Sequence, residues 1–385
     1  MDNRPRIVID GRYLGSRASG IGTYVRALIS RIPALAPDLQ LRVWVRDPSD
    51  VPPDSRGSVQ IHQVAAMANG VLSLVAPTSL DRLMPHDVFH ATYNILGRGL
   101  PCRSIVTVHD VMWVDAPADC QPDAWRRPIS AAYFGNGIRR ALRQARRILT
   151  VSNVSARRIQ GVDPSTIGKI IVTPNACAGC FRPPDNLDAV QSRVATMLGI
   201  HGRYFLLVGQ NQPSKGHEVA LRAFAEANLP NAWLVLVQRL RTGNGLVRLA
   251  RQLGIGDRVR FVGELAQSDL VATMQSATAL LQPSTSEGFG LPALEAVACA
   301  CPVLASELPV FHEVLDNAAL FLPAGNVSAW AQAMSRLFTD SRLERKMRLL
   351  GPVRAMHFSW DRTAERTMRA YREIVEENCC SMGAL

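Results

Sequence analysis

Residues 284–295 read S-T-S-E-G-F-G-L-P-A-L-E, and this stretch decides how the rest of the chain is interpreted. It follows an apolar run at residues 278–281, which is typical of a buried strand. Two glycines flank Phe289, and Pro292 stands where the first turn of a helix is expected. The pattern therefore predicts a strand, a glycine-rich loop and the start of a helix.

The chemistry available at this loop is the binding of a phosphate between two carboxylates. Backbone N–H groups at the start of a helix suit a phosphate. Glu287 precedes the loop and Glu295 lies about one turn inside the helix, so both can accept hydrogen bonds from sugar hydroxyls. Taken alone, the loop is equally compatible with an ordinary strand-to-helix turn, because glycine-rich turns are common.

The full string E-G-F-G-L-P-A-L-E-A resembles the E-x7-E motif of retaining glycosyltransferases of family 4. These enzymes have the GT-B architecture, an α/β fold of two facing Rossmann-like domains with parallel sheets and a cleft between them. The resemblance implies that Glu287 contacts the donor sugar and Glu295 the nucleotide ribose. It also implies that the backbone of Phe289, Gly290 and Leu291 meets the donor diphosphate. Among these enzymes, the sequence as a whole most resembles bacterial polysaccharide mannosyltransferases.

Length and charge fit this expectation. A chain of 385 residues is long for one α/β domain and natural for two. The formal charge of +11 favours anionic partners, such as nucleotides or an anionic membrane surface. Charged residues interrupt the first strand, which argues against a signal peptide, and the cysteines are expected to be free thiols. We therefore expect a cytoplasmic protein, peripheral on the inner face of the membrane.

Strand-like runs separated by helical patterns predict a parallel, doubly wound sheet in each half of the chain. The expected domains are an acceptor-side domain at 1–183 and a nucleotide-sugar donor domain at 184–360, with a helix at 361–377 crossing back onto the first domain. The predicted strands lie at 6–10, 41–46, 59–63, 88–90, 105–109, 149–153, 169–175, 204–208, 233–237, 259–262, 279–282, 303–305 and 319–322.

The first predicted strand leads into a glycine-rich loop before a helix expected near Tyr24. Such a loop lets a ligand approach the backbone closely, although loops with a purely structural role are at least as common. The pattern I-D-G-R…S-G-I-G-T-Y resembles the first loop of the same transferases, near the donor diphosphate. The resemblance makes Gly20 and Gly22 candidate donor-binding residues.

A histidine ends another predicted strand. The string T-V-H-D places His109 beyond the carboxyl end of a parallel strand, where ligands bind in such sheets. A histidine that only caps the strand by hydrogen bonds is the alternative. The string resembles the segment that carries the catalytic-centre histidine of the family, which implies that His109 contacts the donor sugar.

A second phosphate candidate is the string V-G-Q-N-Q-P-S-K-G, which contains Gly209 and Lys215. A lysine ammonium just ahead of a helix can neutralise a diphosphate. The family usually carries an arginine in this loop, and Gln210 and Ser214 stand at the usual arginine positions here. Arg239 or Arg241, after the next strand, is expected to supply the missing charge.

Two further segments each allow two interpretations, one structural and one as a surface for an anionic or lipid partner. Arg139, Arg143, Arg146 and Arg147 recur at helical spacing, and form either a solvated face or a surface for anionic lipid or a pyrophosphate-linked acceptor. Residues 64–83 are either a core helix or a surface that dips into lipid headgroups. No aromatic residues interleave with the arginines, so no nucleic-acid partner is expected.

The pair Cys177 and Cys180 forms a C-x-x-C with no second pair nearby, so no metal site is expected there. The resemblance implies a retaining glycosyltransferase that moves a hexose, preferably mannose from GDP-mannose, to a hydroxyl of a lipid-linked or growing saccharide in polysaccharide synthesis. Lys215 and the loop at Gly290 stabilise the leaving diphosphate electrostatically, without metal or cofactor. Alternatives are a transferase for another UDP- or GDP-sugar, a sugar phosphorylase, and a non-catalytic sugar-binding protein.

Overall fold

The computed structural model describes residues 4–15, 19–68, 70, 81–121, 123, 125–238 and 245–382, without the side chains of 379–382. The described strands are β1 Arg6–Asp10, β2 Gln40–Val45, β3 Gln60–Gln63, β4 Val88–Ala91, β5 Arg103–Val108, β6 Arg147–Thr150, β7 Ile170–Val172, β8 Tyr204–Val208, β9 Trp233–Val237, β10 Val259–Val262, β11 Ala279–Gln282, β12 Val303–Ser306 and β13 Ala319–Leu322.

The described helices are α1 Gly20–Ile29, α2 Ile32–Leu35, α3 Met112–Asp115, α4 Pro117–Cys120, α5 Arg127–Gln144, α6 Asn153–Val162, α7 Leu187–Leu198, α8 His217–Ala227, α9 Gly245–Gln252, α10 Gln267–Ser276, α11 Leu291–Ala298, α12 Pro309–Leu315, α13 Val327–Thr339, α14 Ser341–Ala355 and α15 Trp360–Met382. Short 3-10 turns join several of them.

The chain divides into two compact units. Unit 1 comprises Met1–Pro117, Trp125–Asn175 and Ser359–Leu385, and unit 2 comprises Ala118–Ala124 and Ala176–Phe358. The division after residue 175 lies ahead of the boundary expected at 183, because the intervening residues pack within unit 2. Gln275 Nε2 donates to the carbonyl of Arg182 at 2.8 Å, for example.

Each unit contains one parallel sheet, and the two sheets share a pattern. Among the described residues, unit 1 has seven strands in the order β3-β2-β1-β4-β5-β6-β7, and unit 2 has six in the order β10-β9-β8-β11-β12-β13. All described pairings are parallel. The direction of winding reverses between β1 and β4 and again between β8 and β11. Ligands of doubly wound sheets bind beyond the carboxyl ends of strands at such reversals.

Helix α1 begins earlier than the sequence predicts. It starts at Gly20 because the Ser19 side chain accepts a hydrogen bond from the Gly22 amide at 3.0 Å and caps the helix. Gly20 and Gly22 therefore belong to the first turn of the helix and not to the preceding loop. A Cβ on Gly22 would lie 2.8 Å from the Tyr13 carbonyl oxygen, so this position requires glycine.

The arginine-rich segment does not form one helical face, so that prediction is wrong. Helix α5 ends at Gln144, and Arg147 opens β6. Arg146 and Arg147 instead form ion pairs with Glu377 and Glu373 of α15. The helical spacing is a coincidence, because the four arginines belong to two adjoining elements and the loop between them.

Helix α15 is longer than the predicted 361–377 and packs within unit 1 against α1, α2 and β4. Its buried face includes Ala364 and Tyr371. The helix continues as far as Met382 in the described part of the chain. Glu377 and the buried Asn378 hold this last part of the helix, since Asn378 Nδ2 donates to the His86 carbonyl at 3.3 Å.

Candidate active site

The centre of the candidate site in unit 2 is an ion pair between Lys215 and Glu287. Lys215 follows β8 and Glu287 follows β11, which are the two neighbouring strands at the reversal of the sheet. The Lys215 Nζ donates to Glu287 Oε1 at 2.6 Å, and the two side chains are 25% and 10% exposed. Two residues that the resemblance assigns to the diphosphate and the sugar thus contact each other directly.

Two neutral side chains fix the same carboxylate. Gln282 Nε2 and Ser284 Oγ each donate to Glu287 Oε1 at 3.0 Å. Sequence reasoning did not identify either residue. The available signal was that Gln282 is a polar residue closing an otherwise apolar strand, at the edge where ligands bind.

Glycines let the two loops of this site meet. Gly216 has φ +65°, and a Cβ on it would lie 2.1 Å from the Pro283 carbonyl oxygen. The Thr285 amide donates to the Ser214 carbonyl at 2.9 Å. Gly209, at the end of β8, donates its amide to the Val237 carbonyl at 3.1 Å. The contacts of Gly216 and Thr285 set the distance between the lysine loop and the glutamate loop, and that of Gly209 holds the lysine loop to β9.

The glycine-rich loop itself joins the core before it starts α11. The Phe289 ring is buried and packs edge-on against Phe358 at 5.6 Å, so only its backbone is placed to meet a ligand. Gly290 has φ +86° and is the N-cap of α11, with no side-chain cap. Leu291 opens the helix and Pro292 lacks an N–H, so the first free amides at this helix start are those near Gly290.

Glu295 lies in a different environment. It is 9% exposed, and burial raises the pKa of its carboxyl to about 8. Within the described ranges no ion pair involves it. Burial, and after it the charge of Glu295, raises the pKa of the Cys177 thiol to about 11, so the C-x-x-C segment lies beside this glutamate. The sequence did not predict that proximity.

Orphaned polar atoms mark the same edge of the unit 2 sheet. In the described part of unit 2, the buried atoms without a hydrogen-bond partner are both ring nitrogens of His217, which opens α8, and atoms of four side chains near strand ends: Ser214 Oγ, both amide atoms of Gln238, Gln282 Oε1 and Ser306 Oγ. These four side chains follow or end β8, β9, β11 and β12 respectively. Because buried polar groups are almost always paired, this clustering indicates a place for a polar ligand.

His109 occupies the corresponding edge of the unit 1 sheet, after β5. Its Nε2 lies 3.0 Å from the Thr92 carbonyl oxygen, and its amide donates to Asn94 Oδ1 at 2.8 Å. A carbonyl can only accept, so Nε2 carries the proton and Nδ1 is left as an acceptor. Burial lowers the pKa of His109 to about 4, so the ring is neutral near pH 7.

A buried hydrogen-bonded chain supports His109 from below. Tyr371 of α15 bonds His90 Nδ1 at 2.6 Å, and His90 Nε2 bonds Thr107 Oγ1 at 2.8 Å. Thr107 Oγ1 lies 3.0 Å from the Tyr24 hydroxyl. The Tyr24 ring then packs edge-on against the His109 ring at 5.3 Å. The last helix is thereby linked to the candidate histidine through the core of unit 1.

The remaining candidates are placed as follows. Gly20 and Gly22 lie in unit 1, in the first turn of α1, where Ser19 already accepts from the Gly22 amide. Arg239 and Arg241 lie outside the described residues. Among the residues that are described, no three histidine, cysteine or acidic side chains gather as a metal site would require. No helix in the described ranges has the length and apolar character needed to cross a membrane.

Comparison with known proteins identifies the family. Residues 200–350 match the family described as "Glycosyl transferases group 1". The chain is 32% identical over 332 residues to D-inositol 3-phosphate glycosyltransferase of Mycobacterium leprae, covering 81% of this chain and 74% of that protein.

Solved structures share the architecture. Sucrose-phosphate synthase from Thermosynechococcus elongatus superposes with a TM-score of 0.74 at 21% identity, covering 97% of this chain and 100% of that one. Anabaena HepE in complex with UDP and glucose gives a TM-score of 0.68 at 16% identity, with 100% of both chains covered. With its two parallel Rossmann-like sheets, this chain belongs to the group 1 glycosyltransferases and has the GT-B fold.

Proposed function

We propose that this glycosyltransferase is a retaining, metal-independent enzyme that moves a hexose from a nucleotide-diphosphate sugar to a saccharide hydroxyl. The observation that carries the proposal is the 2.6 Å Lys215–Glu287 ion pair at the reversal of the unit 2 sheet, whose neighbouring strand ends, in the described part of the chain, carry buried polar atoms without partners. A cation and a fixed carboxylate meet there, as the transfer of a sugar away from a diphosphate requires.

Lys215 stabilises the leaving diphosphate. Its ammonium has three N–H donors, and one of them donates the 2.6 Å hydrogen bond to Glu287. The others are available to phosphate oxygens, and the free amides near Gly290 add positive charge at the start of α11. Such preorganised charge is worth most where negative charge develops in the transition state. The leaving group is thereby stabilised without a metal.

Glu287 and His109 orient the hexose. Three donors converge on Glu287 Oε1, which holds the carboxylate rigidly toward its ligand. The neutral His109 offers Nδ1 as an acceptor, so a hydroxyl of the sugar donates to it. A deoxy-hexose without that hydroxyl would leave the ring nitrogen unpaired, so it should be transferred more slowly. Glu295 accepts from the ribose hydroxyls.

The preferred donor is GDP-mannose, on the likeness of the motifs to bacterial polysaccharide mannosyltransferases. A UDP-sugar is the second candidate, supported by the HepE complex with UDP and glucose. The name of the mycobacterial relative supports a phosphorylated cyclitol as a further acceptor class. We infer a lipid-linked or growing saccharide acceptor, and a cytoplasmic protein attracted to an anionic membrane, from the charge of +11.

The test is a donor screen with the purified full chain. Release of nucleotide is measured with GDP-mannose, GDP-glucose, UDP-glucose and UDP-galactose, with and without EDTA, and the anomeric configuration of the product is read by NMR. We expect turnover with one donor, retention of configuration and insensitivity to EDTA. Inversion, or a loss in EDTA that magnesium restores, would contradict the proposal. Absence of turnover with Lys346→Ala as well as Lys215→Ala would indicate a preparation fault, since Lys346 is exposed on α14.

A further inference from the structure

A cavity of about 740 Å³ lies in unit 1 at the amino ends of its central strands, away from the candidate active site. Four cationic side chains line it: Arg103, Arg143, Arg146 and Lys169. They come from the starts of β5 and β6, the end of α5 and the residue before β7. None of the described residues that line the cavity is acidic. The transfer reaction proposed above does not use this cavity.

The cavity and His109 lie at opposite ends of the same strand. Arg103 is the first residue of β5, and His109 directly follows its last residue. At the rise of a β-strand, the two positions are separated by roughly 20 Å. A ligand at the arginines is therefore distinct from a sugar at His109.

The arginines are already arranged around an oxyanion. Arg146 donates to both oxygens of Glu377, from Nε at 2.6 Å and from a terminal nitrogen at 2.8 Å. Arg103 donates to the same carboxylate at 2.8 Å and Arg147 at 3.3 Å. Three cations converging on one carboxylate form the forked geometry that binds carboxylate and phosphate groups.

The cations here outnumber the carboxylates. Five basic side chains, those of Arg103, Arg143, Arg146, Arg147 and Lys169, gather at these strand ends. The carboxylates paired with them are Glu373, Glu377 and Asp163. Arg143 remains 72% exposed, and Lys169 Nζ donates only to the Arg143 carbonyl, at 3.3 Å, in the bonds described. Positive charge therefore remains for a further anion.

Favourable placement at the end of a helix explains only part of this cluster. Arg143 and Arg146 complement the carboxyl end of α5, where cations are stabilised. Arg103 and Lys169 come from other elements, and the helix end does not account for them. Their convergence on one concave surface is a separate observation.

We propose that this cavity binds a phosphate group carried by a larger anion, with Arg146, Arg103 and Lys169 as its principal contacts. Glu377 acts there as an intramolecular competitor of the phosphate. An acidic phospholipid headgroup and a soluble phosphate monoester share the chemistry that the cavity recognises. The inference does not depend on the proposed transfer reaction.

The test uses the full chain carrying Lys215→Ala, so that the loop proposed to bind diphosphate contributes little. Binding of labelled glycerol phosphate is measured by equilibrium dialysis. Binding to vesicles of phosphatidylglycerol or of phosphatidylcholine is measured by co-sedimentation. Saturable binding of glycerol phosphate supports a soluble ligand, and binding to phosphatidylglycerol vesicles alone supports a headgroup. Failure of both probes to bind saturably overturns the proposal.

Matched variants locate the binding. Arg146→Gln and Lys169→Gln should each weaken it about tenfold, since each removes a charge-assisted contact. Within the described residues Lys169 forms no ion pair with α15, so its variant should leave the docking of that helix intact. Arg372→Gln is the control, because Arg372 lies on the same helix but pairs with Asp38 outside the cavity. If Lys169→Gln and Arg372→Gln weaken binding equally, the probe binds through unspecific charge attraction and the proposed site is refuted.

A variant with the opposite sign sharpens the test. Glu377→Gln removes the competing negative charge and should strengthen binding about threefold or more, with the effect declining as salt screens it. If the folded Glu377→Gln protein binds the probe more weakly than its parent, Glu377 does not compete with the phosphate for these arginines. Thermal melts identify the folded variants.

Discussion

The two glutamates of the E-x7-E stretch occupy opposite kinds of environment, although the motif presents them as a pair. Glu287 accepts from a cation and two neutral donors, with distances of 2.6, 3.0 and 3.0 Å. Glu295 lies buried in the helix, and burial raises the pKa of its carboxyl to about 8. Glu287 therefore has its hydrogen-bond partners before a ligand binds, whereas the carboxyl of Glu295 depends on a ligand to supply them.

The largest effect should come from the partner of the compensated glutamate. Lys215→Ala removes the proposed cation at the diphosphate and leaves Glu287 partly buried without its charge partner. We expect turnover to fall by about 100-fold or more, as for loss of a preorganised group in a transition state. Initial rates against donor concentration measure this, with Lys346→Ala as the matched surface control. A loss equal to that of the control would remove Lys215 from the site.

Glu287→Gln should have the next largest effect. The amide keeps the shape of the side chain but loses the charge that orients Lys215 and the sugar. We expect kcat to fall by about 10–100-fold with a smaller change in the donor KM, because positioning is lost where charge develops. A rise in KM with kcat unchanged would place Glu287 at a part of the donor remote from the broken bond.

Glu295→Gln should affect donor binding and leave turnover nearly unchanged. Because the raised pKa keeps the Glu295 carboxyl mostly protonated near pH 7, the lost hydrogen bond joins neutral groups and contributes about 0.5–1.5 kcal/mol, so the donor KM should rise by about 2–10-fold. The same steady-state rates measure this variant, and melting curves confirm that it is folded. Identical kinetic patterns for Glu287→Gln and Glu295→Gln would refute the division of roles between them.

The last effect concerns the free energy of unfolding, not the kinetics, and depends on pH. Glu295 has a folded pKa of about 8 against an ordinary value of 4.5, so the unfolded chain loses its proton first as pH rises. Stability is therefore full below about pH 4.5 and declines until about pH 8. Glu295→Gln abolishes this decline, and we expect it to be more stable than the parent by several kcal/mol at pH 9 and equal to it at pH 4, because each pKa unit is worth about 1.4 kcal/mol. Urea unfolding at both pH values measures this, and a mutant that is less stable at pH 9 would contradict the raised pKa.

The sequence predicted the strands nearest the unit 2 site with the observed bounds. β8 and β11 are short, mostly apolar runs followed directly by glycine or proline, and that pattern has few alternative interpretations. Boundaries of helices and strands were predicted less accurately where charged residues or glycines stand at them. β6 begins at Arg147, where an arginine at a strand start looked like the continuation of a helix. α1 was predicted too late because G-I-G was interpreted as a loop, although Ser19 caps it.

The contacts that build the site were beyond sequence reasoning. Lys215 and Glu287 are 72 positions apart, and only the order of strands brings β8 beside β11. The tautomer of His109 depends on a carbonyl 17 positions away. Motif resemblance assigned roles to these residues one at a time, whereas their interactions depend on the fold. The same limit applies to Cys177, whose nearness to Glu295 arises from packing.

The hydrogen bond from Tyr371 to His90 has a consequence for how the protein is made. Unit 1 includes residues from both ends of the chain, whereas unit 2 is almost entirely the continuous stretch Ala176–Phe358. Ribosomes deliver the chain from its amino end, and domains fold as units when their residues have emerged. Unit 2 can therefore finish folding while unit 1 still waits for α15. Until Tyr371 arrives, His90 stays without its buried partner, so the histidine side of the site is expected to mature last.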